Sequence, residues 1–391
     1  MPGCCQHRLA RAQIVLGSLW IVDALLQVQP ANLGPAAAKA VTENAMGQPA
    51  WARVLLERAG ELVGHDPVAF SAVIATVQLL IGSAIVHRRS RRAGLLASIP
   101  WAVGVWVLGE GGGNLATGFA MLPSGAPGAA LLYAVAAVAV LPGRSRRHPE
   151  PTCGSPAKAR TAAGAGALGD RGTGAVWALL WSTAAILQVT PVGTLGFKLY
   201  ANLQMTSLGE PAALATVDRR LGLLALAHGT IATGAAVAAE LAIAAAGALD
   251  GRARGWLLTA ALVACAIFWA IGESFGGLLT GTADDVGSMP LYALLAVLLF
   301  PLPRAEGAEA DRELSLSAMS SLASTTRLSS FPTSSTSIRT TSPGRRLNGR
   351  SGTRDVPVDS TTPSGNAISR PSHETRSSRR RCSCDVEPSA S

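Results

Sequence analysis

Glu110 and Glu273 open the same ten-residue pattern. GEGGGNLATG begins at Gly109 and GESFGGLLTG at Gly272; both read G-E-x-x-G-x-L-x-T-G. Each follows an apolar run with a tryptophan at the same place, Trp106 and Trp269. Two carboxylates brought to one spot share a proton or bind a cation. The surrounding glycines let the backbone unwind or approach closely. Non-helical backbone at membrane depth survives only where it is buried or lines a cavity. One reading is therefore a pair of short re-entrant elements with both glutamates near a central axis. The plainer reading is two helix ends at the outer surface with solvated carboxylates.

Asp23 is a third acid, inside the first apolar run. A helix starting at Gln13 would carry it about 15 Å in, near the bilayer midplane. A charge there costs ~2.5 kcal/mol or more, so it should face protein or water. Gln27 lies four residues on, over the same helical face. The corresponding place later in the chain holds Ala184 but keeps Gln188. Asp23, Gln27, Glu110, Gln188 and Glu273 are thus the candidate ion- or proton-binding residues. Against this stands a protonated Asp23 that only hydrogen-bonds a neighbouring helix. His228 is a secondary candidate, its alternative being a hydrogen-bonded core histidine. Glu240, further along the same run, falls near a membrane boundary and should be wet. Gln78 reads as a packing residue between helices.

Other chemistries find no support. There is no nucleophile elbow, phosphate-binding loop or zinc helix, and GEGGGN lacks the spacing of a dinucleotide fingerprint. The six cysteines form no pair of zinc-ligand pairs. No enzyme activity, metal or cofactor is expected. The net charge of +9 does not point to nucleic acid, because the arginines cluster between apolar runs, as they do on cytoplasmic loops.

The elements that must position these residues are membrane helices. The chain is 49% hydrophobic and only 15% charged, against roughly a quarter charged in soluble domains. Eight apolar runs are legible: 13–29, 67–86, 93–108, 128–141, 175–190, 221–249, 255–271 and 290–300. Arg8 and Arg11, the HRRSRR stretch from His87, the GRSRRH stretch from Gly143, and Arg252 with Arg254 mark alternate loops. Both termini should then be cytoplasmic, with Arg219 and Arg220 the one exception. The first run is expected to be a span rather than a signal peptide, since it holds Asp23 and Gln27 and recurs deep in the chain. LWIVDALLQVQP, from Leu19, matches LWSTAAILQVTP, from Leu180, at seven of twelve positions, and GQPA at Gly47 echoes GEPA at Gly209. Order and spacing persist along with the Gly-Glu pattern. Each half holds four runs, an even number, so both must insert the same way up as parallel repeats.

The expected fold is an all-α integral membrane protein with eight transmembrane helices in two parallel four-helix repeats. Residues 1–142 form the first unit, 143–174 a basic cytoplasmic linker and 175–303 the second unit. Residues 304–391 form a disordered, cytoplasmic Ser/Thr/Arg-rich tail that cannot bury a core; its basic clusters could touch anionic lipid or be solvated charge with no role.

The stretch VQLLIGSAIVHRRSRRAGLLAS, from Val77, resembles the DoxX-like membrane family, and each half has that family's four-span plan. The wider pattern, over about residues 13–303, resembles duplicated multi-pass membrane proteins of high-GC bacteria. The resemblance implies the bacterial inner membrane and, for some DoxX-like proteins, a role as a membrane subunit of a redox complex. No histidine pair for haem accompanies it here. Two functions follow: cation- or proton-coupled transport at the repeat interface, or a non-catalytic subunit or scaffold of a redox or envelope complex. The partners expected are the lipid bilayer and either another membrane protein or a second copy of the chain.

Overall fold

The structure, a computed structural model, describes residues 2–143, 161–189 and 195–301. The proposed tail and most of the basic linker lie outside these residues. The described chain is all-helical, with a single isolated β-bridge, between Pro142 and Gly166, among the described residues. In order the helices are α1 (Pro2–Gln27), α2 (Pro35–Glu43), α3 (Ala50–His65), α4 (Pro67–Val86), α5 (Arg91–Leu108), α6 (Ala129–Val140), α7 (Gly169–Gln188), α8 (Leu195–Thr206), α9 (Ala212–Ala227), α10 (Gly229–Ala245), α11 (Gly251–Ile267) and α12 (Met289–Leu299).

Three helical stretches are long and apolar enough to cross a membrane: Gln6–Gln27, Pro67–Val86 and Gly251–Gly272. The pair α9 and α10 passes the same test together but is bent by 99°. Large apolar side chains on these helices face outward, Leu25, Leu80, Ile231 and Val263 among them. Water would not tolerate so much exposed apolar surface, but lipid does.

Local sequence explains the sharp helix ends. Asp66 caps α4 by accepting the Ala69 N–H at 3.0 Å, and Pro67 occupies the first turn, where no N–H is needed. At the other end Arg91 donates to the Ile85 and Val86 carbonyls, which have no helical partner. Helix α1 packs on α4, α4 on α5 and α5 on α6; α7 packs on α10, α10 on α11 and α11 on α12. Helices α6 and α12 meet at the centre with most of their side chains buried. In each half the tryptophan of the L-W motif lies against the tyrosine of the last helix. Trp20 and Tyr133 have ring centroids 4.1 Å apart, and Trp181 and Tyr292 5.6 Å apart.

The structure revises several expectations. Each half carries six helices among the described residues, not four: α2 and α3 precede α4, and α8 and α9 precede α10. Helices α2, α3 and α8 and the first half of α9 lie in stretches that read as loops of mixed charge, because their charged faces hide the helical period. The run 221–249 is not one helix. It breaks at His228 and Gly229, where Gly196 of α8 packs against the Ala225 carbonyl. Asp66 and Pro67 announce the matching break in the first half, but no proline marks it in the second. The end of the expected linker belongs to the fold, since Thr161 and Ala163 are buried and α7 already begins at Gly169.

Candidate functional site

The two Gly-Glu motifs fold alike. After α5, residues Gly111, Gly112, Gly113 and Asn114 all have positive φ; after α11 and the wide turn Phe268–Gly272, Ser274, Phe275, Gly276 and Gly277 do the same. Each motif is thus one left-handed turn. At its entrance Asn44 donates to the Gly109 carbonyl and Asn202 to the Gly272 carbonyl, both at 2.8 Å. Trp106 donates to the Pro127 carbonyl at 2.7 Å and Trp269 to the Val286 carbonyl at 2.8 Å.

The turn delivers each glutamate to the first turn of the last helix of its own half. Glu110 Oε1 accepts the Ala130 N–H at 2.9 Å. Glu273 accepts the Ser288 N–H at 3.1 Å and the Met289 N–H at 3.3 Å. Gly128 and Gly287 stand against the two carboxylates with positive φ, and a Cβ at either would collide with a carboxylate oxygen. Both acids therefore satisfy orphan N–H groups and sit favourably at the positive end of a helix dipole.

Both glutamates line one partly open cavity of about 990 Å³. Gln27 of α1, Gln78 of α4, Lys198 and Asn202 of α8, and the adjacent pair Asp284 and Asp285 line it too. Helices α2 to α5 supply most of the apolar wall, with Leu62, Phe70, Val73 and Trp101. The halves interlock beside it: Ser288 donates to the Gly125 carbonyl at 2.6 Å, and Asn32 to the Ala283 carbonyl at 2.9 Å.

Asp23 is one turn from the end of α1 rather than mid-helix, and buried. It accepts the Val286 N–H at 3.1 Å, and the Tyr133 hydroxyl stands next to the same carboxyl. Asp23 is thereby brought behind Asp285. Gln188 is placed elsewhere: it donates to Glu240 at 2.9 Å. Glu240 is buried, not wet as expected. His228 is exposed at the bend between α9 and α10, so it is not a core residue.

Asp284 and Asp285 escaped the sequence reading, where two adjacent acids after Thr-Gly look like an ordinary polar loop. Asp284 is exposed to the cavity and Asp285 half-buried beside it, with buried residues on both sides in the chain. Desolvation pushes both carboxyls up, Asp285 to about 7, with the neighbouring charge of Asp284 adding to it. The repeat holds the signal that could have found them. The positions that match them through Trp106 and Trp269's carbonyl partners are Gly125 and Ala126, and Asp23 matches Ala184. The corresponding place in the other half is a small pocket of about 190 Å³, lined by Ala126, Ala184 and Tyr292 with leucines. One side of a repeated frame is acidic and the other apolar.

No protein-family model, no curated protein and no solved structure matches this chain.

Proposed function

We propose that the chain is an eight-span protein of the bacterial inner membrane, two parallel units with both termini cytoplasmic, that moves cations or protons through the cavity between the units. The observation that carries this reading is the convergence of Glu110, Glu273, Asp284 and Asp285, with Lys198 the one basic residue, on a single cavity. Helices α6 and α12 have 12 and 11 residues. At ~1.5 Å per residue they reach about 17 Å, roughly half of a 30 Å hydrocarbon core. If both end at the cytoplasmic face, their N-termini and the two glutamates stand near the midplane. Irregular backbone at that depth, lining a cavity, is how helical transporters build their sites. The test is flux in proteoliposomes under an imposed pH gradient or membrane potential. Asp284→Asn with Asp285→Asn is expected to abolish it; full flux in that variant overturns the reading.

A second reading, a non-catalytic DoxX-like membrane subunit or scaffold, is favoured by one observation: both glutamates are engaged in capping helices. A partner that co-purifies from native membrane, together with no flux, supports it.

A further inference from the structure

The cavity is lopsided, and its two sides ask for different things. Glu110 and Glu273 are engaged with the N-termini of α6 and α12 through backbone N–H groups, although Glu110 Oε2 is buried without a partner. Asp284 caps no helix and is held only by the backbone N–H groups of its own turn, and Asp285 accepts the Gly287 N–H at 2.6 Å. Their counterparts Gly125 and Ala126 show that the fold does not need acids at these positions. The opposite wall, from α3, α4 and α5, is apolar and aromatic, with Leu62, Phe70, Val73 and Trp101. Within that wall Gln78 is only 5% exposed, lines the cavity, and its Oε1 accepts no hydrogen bond. A buried amide oxygen without a donor is costly unless a ligand supplies one.

The size also discriminates. A bare inorganic cation needs a tight shell of oxygens, and no group of three His, Cys, Asp or Glu among the described residues is close enough to hold a metal ion. A cavity of about 990 Å³ instead lies in the range of about 300–1,000 Å³ typical of organic ligands. Aromatic faces add attraction for a cation.

We infer that the cavity binds an amphiphilic organic cation, a primary amine or guanidinium on an apolar body, with its charge at Asp284 and Asp285, an N–H on Gln78, and its body against Phe70 and Trp101. This rests on the transport reading above and specifies its substrate class. A ligand of that class complements both sides at once; an anion would meet the acids, and a neutral hydrocarbon would leave them and Gln78 unanswered.

The probes are 2-phenylethylamine, a cation at neutral pH, its neutral analogue 2-phenylethanol and the anion 3-phenylpropionate. Binding to the purified full chain in detergent is read by equilibrium dialysis. The amine is expected to bind saturably and at least about ten-fold tighter than the other two, the difference a charge-assisted hydrogen bond supplies. Asp284→Asn with Asp285→Asn should erase that preference, Gln78→Leu should weaken amine binding alone, and Glu57→Gln on the exposed face of α3 should change nothing. If the double variant fails to give a monodisperse protein, the three ligands on the unaltered chain and Gln78→Leu decide. Equal binding of amine and alcohol, or an unchanged preference in the double variant, overturns the inference. Proton or sodium flux without amine binding overturns it too and leaves the transport reading standing. Saturable amine binding with no flux of any cation upholds it and overturns transport.

Discussion

Asp285 is where protonation and binding meet. Its carboxyl titrates at about 7 because burial and the charge of Asp284 both oppose ionisation. Asp23, Glu110, Glu273 and Tyr133 also feel its charge. Affinity for 2-phenylethylamine should therefore rise as pH rises through about 7, as Asp285 loses its proton, and the rise should vanish in Asp285→Asn. A profile flat from pH 6 to 8 in the unaltered chain removes Asp285 from the site. The stability effect has the opposite sign. The folded chain holds this proton above the ordinary aspartate range, so the contribution is fully present below about 4, is lost as pH rises to about 7, and is constant beyond. A second pair behaves differently. The carboxyls of Glu210 and Asp218 face each other with all four oxygens buried, and they can hydrogen-bond to each other only when one of them holds a proton. At the place of Glu210 the first half has Gln48, whose amide donates to the Gly111 carbonyl at 2.8 Å. Asp218→Asn supplies the missing donor and should stabilise the protein at pH 8 by ~1 kcal/mol, seen as a higher melting temperature. A lower one shows that some other group already bridges the two.

At the scale of elements, the left-handed turn is what joins motif to site. Gly113 and Gly276 press against the backbone of Pro127 and Val286, the residues just ahead of α6 and α12. Gly112 has the same left-handed φ, but a Cβ there would meet only Trp106 Cζ2, at 3.9 Å; its counterpart Phe275 carries a whole ring, edge-on to Trp269. Dihedral cost and steric cost can thus be separated. Gly112→Ala is expected to cost ~1 kcal/mol, the dihedral share, while Gly113→Ala should cost at least ~3 kcal/mol by backbone collision. Thermal unfolding of the two variants in detergent reads the difference, and equal losses would mean that the turn is not pinned against α6. The turn itself was legible, because glycine spacing is local and recurs. The bend at His228 was not, because an apolar run looks the same whether it continues straight or turns. Nor was α3, since its charged face at Arg53, Glu57 and Glu61 resembles a solvated loop until a cavity is found beneath it. The membership of Asp284 and Asp285 in the site was invisible for a longer-range reason. It depends on Asn32 and Asp23, at the far end of the chain, holding residues 283–286 in place.

Across the whole molecule the repeat does two jobs that pull apart. The Trp–Tyr contacts, the asparagine bonds to glycine carbonyls and the capping glutamates occur in both halves and build the frame. Asp23, Asp284 and Asp285 occur once, on one side, and make the frame polar there. A symmetric scaffold with an asymmetric acidic face suits a site that must hold one cation rather than two. That logic needs both halves to stand the same way up, with α6 and α12 entering from the same side. It makes a direct demand on topology. The chain after Pro142 and the chain after Leu249, which close the fourth run and the sixth, should lie on one side of the membrane, and the turn around Gly118 should face the other. Fusions of a compartment-sensitive reporter at Gly143, Asp250 and Gly118 read this directly. Activity at Gly143 and Asp250 but not at Gly118, or the reverse pattern at all three, keeps the parallel arrangement. Opposite signals at Gly143 and Asp250 would invert one half against the other, and the acids could then no longer share a cavity that opens to one face.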